Sequence, residues 1–125
     1  MISAVVLAAG AATRFGSPKQ LVLLPYVLTY NRPAIEEKLA VIARVLDLKG
    51  EPFGALFDWV LGFRRRLKIP QALADIGVPL QDAELIGREA ALDPSASGNP
   101  QPADAAAYTR IFRAAVKGDL SFGGK

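Results

Sequence analysis

The chain has no cysteine and no histidine among its 125 residues. Without cysteine there are no disulfides, thiolate metal ligands or cysteine nucleophile, a composition expected of a reducing, cytoplasmic setting. Without histidine, the commonest transition-metal ligand and the commonest general base near neutral pH are both gone. Any chemistry has to come from Asp, Glu, Lys, Arg, Tyr, Ser, Thr or the backbone. Long apolar runs are also lacking. Ala4–Ala9 ends at Gly10 and Leu21–Leu28 contains Pro25, and both fall far short of the roughly 20 residues of a membrane span. No basic stretch precedes a long apolar one at the start, so no cleaved secretory leader and no membrane partner are expected. Charge of one sign is scarce too. Fifteen basic against twelve acidic residues give +3, too mild a bias to mark a nucleic-acid surface. The densest cluster, Arg64-Arg65-Arg66 with Lys68, has no aromatics interleaved and reads as a solvated helix face or, alternatively, an anion patch.

The hydrophobic fraction of 51% excludes intrinsic disorder, and the length allows a single core. Ile2–Leu7, with β-branched Ile2, Val5 and Val6 before Ala8-Ala9-Gly10, reads as a buried strand entering a glycine turn. Nothing downstream supplies the neighbouring strands it would need. From Asn31 onward the period is helical: Ile35, Leu39, Ile42 and Leu46 recur at four, three and four residues. Asn31 is placed to cap this helix, Pro33 falls in its first turn and Gly50 stops it. A second stripe runs through Phe53, Leu56, Phe57, Val60, Leu61, Arg64 and Leu67. A short helical piece over Gln71–Asp75 ends at Gly77. Pro79 is expected to open a helix turning Leu80, Leu85, Ile86 and Ala90 inward. Asp93–Pro102 reads as an ordered loop, and Asp104 as the cap of a last helix with stripe Tyr108, Ile111, Phe112, Ala115 and Val116. The expected fold class is all-α, a small helical bundle, with residues 1–21 of helical or strand conformation. Residues 22–120 form the helical domain, and Ser121–Lys125 is expected to fray.

Two resemblances follow. Leu7-Ala8-Ala9-Gly10, Arg14, Gly16 and Pro18-Lys19 with Leu21 resemble the opening signature of molybdenum-cofactor nucleotidyltransferases, nearest the molybdopterin cytidylyltransferase branch. That likeness implies Gly10, Arg14, Gly16 and Lys19 as phosphate-binding positions, through backbone N–H groups and two cations. The family's remaining strands and acidic metal residues have no counterpart here. The second resemblance covers residues 22–117. Leu23-Leu24-Pro25-Tyr26-Val27, then Asn31 and Pro33, resemble the L-L-P-H-V-x-x-x-N-x-P segment of iron-containing alcohol dehydrogenases. The likeness continues through Ile42–Leu46, Leu67–Leu73, Ile76–Val78, Asp93-Pro94 and Gly98-Asn99-Pro100. It implies the C-terminal helical domain of that family, with Tyr26 where many relatives carry a non-ligand histidine. The family's nicotinamide domain and its Asp-and-three-His iron site lie upstream of the matching segment. No metal ligand or cofactor residue carries over, so no cofactor and no metal are expected. The chain reads as a chimera of the two families.

Three functions remain open. The first is an oligomerising helical scaffold, most simply a homodimer, with Val5, Val6 and Leu7 of the N-terminal segment buried in its interface against Leu21–Leu28 and the Phe53–Leu61 stripe. The second is a new enzyme, a hydrolase or NAD(P)-dependent oxidoreductase, with its site in a groove between chains. Its candidate groups are Tyr26, Tyr30 and Asp58, then Asp75, Asp82, Glu84 and Asp93, with Lys19 and Arg14 as donors; the two tyrosines lie four apart, on one face of a helix. The third is a binder of a small anionic, phosphate or nucleotide ligand through Gly10–Lys19.

Overall fold

One helix, α1, runs from Lys19 to Val45 straight through Pro25 and Pro33. The computed structural model describes residues 19–123; the expected strand Ile2–Leu7, the positions Gly10, Arg14 and Gly16, and the N-terminal interface segment lie outside them. Each proline removes one backbone donor, at a cost of about 3 kcal/mol in a helix interior. Burial offsets that cost. Val22, Leu23, Tyr26 and Val27 are all buried on the first half of α1, and Leu39 and Ala43 on the second. Each large apolar side chain so buried contributes about 1.5–3 kcal/mol. The helix start expected at Asn31 is therefore corrected. Asn31 lies mid-helix, 2% exposed, and its side chain exchanges hydrogen bonds with that of Asn99, Nδ2 to Oδ1 at 3.0 and 2.8 Å. A tertiary partner replaces the capping role.

The helix α2 spans Pro52–Arg66, α3 Ala83–Leu92 and α4 Ala105–Lys117, with 3-10 turns at Leu73–Ile76 and Pro94–Gly98. Among the described residues there is no strand, and the fold is all-α. Local chemistry sets the helix ends. The Glu51 carboxylate accepts from Phe53 N and Gly54 N at 2.9 and 2.7 Å, with Pro52 in the first turn of α2. Asp104 Oδ1 accepts from Ala107 N at 2.8 Å, as the sequence suggested for α4. Gly77 and Gly118 close their elements at φ of +82° and +74°, the left-handed region open to glycine. α3 begins at Ala83 rather than Pro79, and Leu80 and Leu85 face solvent. Of the four residues expected inward there, Ile86 and Ala90 are buried.

Two apolar clusters share α1. The first half of α1 packs with Leu73, Val78, Ile86, Tyr108, Ile111 and Phe112, the stripe of α4 being buried as expected. The second half pairs with α2 through Leu39, Ala43, Phe53 and Leu56. The α1 stripe is only partly inward: Ile42 and Leu46 are 45% and 41% exposed. Part of the tail expected to fray is packed. Phe122 is half-buried on the first cluster, its ring 6.3 Å from that of Tyr26.

The basic cluster needs a second correction. Arg64 is 1% exposed and donates Nη2 to the carbonyls of Pro70 and Gln71 at 3.0 and 3.3 Å, while Arg65 and Arg66 face solvent. Its position in the α2 stripe turns it inward, where two loop carbonyls receive it.

Candidate functional site

The polar groups nominated by the sequence are placed apart. Tyr26 and Tyr30 do lie one turn apart on α1, but their hydroxyls go to different loops. Tyr26 donates to the Gln71 carbonyl at 2.9 Å, and Tyr30 to the Pro102 carbonyl at 2.6 Å. Burial raises the Tyr26 phenol above its ordinary pKa, with the Arg64 cation opposing the shift. Lys19, the first residue of α1, is buried, and that burial lowers its ammonium pKa.

The carboxylates do not converge. Asp58 is exposed on α2, and Asp75 accepts from Ala72 N at 3.2 Å. Asp82 precedes α3, and Glu84 pairs with Arg113 at 3.0 Å. Asp93 accepts from Ser95 N and Oγ at 2.7 and 2.6 Å, and these hydrogen bonds hold its carboxyl below the ordinary range. Among the described residues no group of three or more Asp or Glu could hold a metal ion.

What the fold does assemble is a set of adjoining clefts around Arg110 on α4. One, of about 320 Å³, lies between α1, α4 and the tail, lined by Tyr30, Arg32, Pro33, Gln101, Arg110 and Phe122 among others. A second, of about 190 Å³, lies along α4 beside Arg110, Arg113, Lys117 and Phe122. A third, of about 480 Å³, is bordered by Tyr30, Pro102, Asp104 and Arg110. Arg32 spends Nε and Nη2 on Glu36, approaches Glu51 at 3.8 Å, and lies 4.2 Å over the Phe53 ring. Arg110 has no ion-pair partner among the described residues. The sequence carried one unread signal for it: Arg110, Arg113 and Lys117 recur at three and four residues, the polar face opposite the α4 stripe.

The family model described as "Fe-containing alcohol dehydrogenase family, C-terminal" matches residues 18–116. The chain belongs to that family. Two curated relatives, the lactaldehyde reductases of Escherichia coli strain K12 and of Escherichia coli O157:H7, are each 31% identical over 100 residues. The match takes in 75% of this chain but 26% of either relative, so the chain spans about a quarter of their length. No solved structure matches it. The iron in the family name finds no fitting donor set here. The chain has neither imidazole nor thiolate to offer, and its described carboxylates are dispersed as caps, turn anchors and surface pairs. Hard oxygen donors so scattered do not make a transition-metal site.

Proposed function

We propose that this dehydrogenase-family helical domain works as a scaffold that associates with a second copy of itself. The observation that carries the reading is a row of exposed apolar residues at the end of α1. Val41, Ile42, Val45 and Leu46 are 49%, 45%, 79% and 41% exposed. They fall in two pairs four residues apart, and so share one face of the helix end. Contiguous apolar surface of this kind marks association sites. A second copy presents the same row, so pairing about a two-fold axis covers both rows at once. The nucleotidyltransferase-like opening, residues 2–21, overlaps the matched residues 18–116 only at its end, and in this reading the chain joins two families. The reductase activity in the relatives' name is not proposed for it, since its residues do not fit the family's metal.

Sedimentation across a range of protein concentrations tests the reading. The unsubstituted protein is expected to self-associate, and Val45→Asp to shift it to monomer with its helical circular dichroism unchanged. A protein that stays monomeric throughout, or a Val45→Asp variant that associates as before, would overturn it.

A further inference from the structure

The clefts around Arg110 are lined as a ligand site would be, and nothing in the scaffold reading uses them. We infer that they bind a small amphipathic oxyanion: a carboxylate or phosphate group held at Arg110, with an apolar or aromatic body against Phe122 and Pro33.

Three observations converge. The charge is available. Arg110 is exposed on α4, lines all three clefts, and has no ion-pair partner among the described residues. A guanidinium is the side chain best matched to carboxylate and phosphate, because its planar fork donates two parallel hydrogen bonds. Lys117 follows on the same helix, lines the neighbouring cleft and extends the cationic field along α4, while Arg113 between them is paired with Glu84. Asp104 and Asp119, the acids bordering these clefts, are engaged: one caps α4, and the other accepts from Ser121 N and Oγ.

The remaining polar atoms restrict what can bind. The Tyr30 proton is given to the Pro102 carbonyl at 2.6 Å. The phenol oxygen can therefore accept but does not donate to an anion. Two of the Arg32 nitrogens are taken by Glu36. Arg110 is left as the principal donor, with the Gln101 amide beside it. A single uncommitted fork suits one oxyanion group rather than a polyphosphate.

Size and floor complete the argument. The cleft of about 320 Å³ sits at the small end of the roughly 300–1,000 Å³ range of small-molecule sites. Phe122 and Pro33 give it apolar wall beside the cation. A bare ion would leave that wall uncovered; an aromatic or short aliphatic acid would cover it. Phe122 itself packs on the first apolar cluster beside Tyr26, so the wall is part of the folded chain.

The test is titration calorimetry of the whole chain with benzoate, phenyl phosphate and inorganic phosphate as probes. Saturable binding of benzoate or phenyl phosphate is expected, the tighter of the two identifying the oxyanion. Inorganic phosphate should bind more weakly than phenyl phosphate. Arg110→Gln, at an exposed helical position, should weaken binding by about tenfold or more without changing the melting temperature. Arg110→Lys should retain part of the affinity, and Phe122→Ala should weaken the aromatic probes alone. If no probe saturates, or if Arg110→Gln binds as tightly as the unsubstituted chain, the site does not exist. Equal affinity for phenyl phosphate and inorganic phosphate would remove the apolar wall from the proposal. None of these outcomes depends on whether the chain self-associates.

Discussion

Tyr26 of α1 and Arg64 of α2 donate to the same backbone oxygen, the carbonyl of Gln71, at 2.9 and 3.3 Å. Two helices and the loop ahead of Leu73–Ile76 are thereby tied at one point. Arg64 is almost wholly buried, yet its Nε and Nη1 have no partner among the described residues. The desolvation of a buried cation in that state offsets much of what its hydrogen bonds contribute. Tyr26→Phe should cost about 0.5–1.5 kcal/mol, the worth of one hydrogen bond. Arg64→Met, which keeps the stem and removes the unsatisfied donors, should lie within about 1 kcal/mol of the parent, or above it. Arg64→Ala should lose about 2–4 kcal/mol, because the packing of the stem goes too. Urea unfolding decides the matter: a Met variant as unstable as the Ala variant would show that the charge itself holds the loop.

Gly87 should behave against its helix propensity. In an exposed helix, Gly→Ala gains about 1 kcal/mol. A Cβ at Gly87 would instead run into Thr109 Oγ1 and come within 2.7 Å of the Ala105 carbonyl. Both belong to the first turns of α4, which packs against α3. Gly87→Ala is expected to cost about 1–3 kcal/mol by overpacking. Gly62→Ala on α2 meets nothing nearer than Arg65 Nη2 at 3.8 Å, and should gain up to about 1 kcal/mol. Thermal melts of the two variants should therefore move in opposite directions.

The Asn31–Asn99 pair joins residues 68 apart in sequence. Replacing either by leucine leaves the other amide facing an apolar group, at about 1–3 kcal/mol. A double-mutant cycle should return a coupling of about 0.5–3 kcal/mol. Additive losses would mean that the two amides act separately.

Acid should weaken the fold through its turn anchors. Hydrogen bonds hold three carboxyls below the ordinary carboxylate range: Glu51 by Gly54 and Phe53, Asp93 by Ser95, and Asp119 by Ser121. A carboxyl depressed in the folded state favours folding above its unfolded pKa, and that contribution is lost as pH falls through the folded value. Stability should be level near neutrality and decline below the ordinary carboxylate range. Glu51→Gln should flatten the decline. A Glu51→Gln profile that coincides with the parent's would show that the Glu51 charge takes no part.

Local chemistry was readable from the residues. The all-α class, the α4 stripe, the α2 stripe short of Leu67, the Asp104 cap and the turn at Gly77 follow from spacing, dipoles and backbone freedom, which act within one helical turn. The lack of imidazole and thiolate is likewise a property of composition alone. Tertiary structure decided the rest. It carried α1 through Pro25 and Pro33, because the side chains that offset two lost donors lie on other helices. It turned Arg64 inward, drew Asn31 to Asn99 and packed Phe122 beside Tyr26. It also placed Arg110 beside Arg32 and Phe122, residues from three separate stretches of chain. Contacts of that range depend on where whole elements dock, and no periodicity within one segment encodes the distance to another.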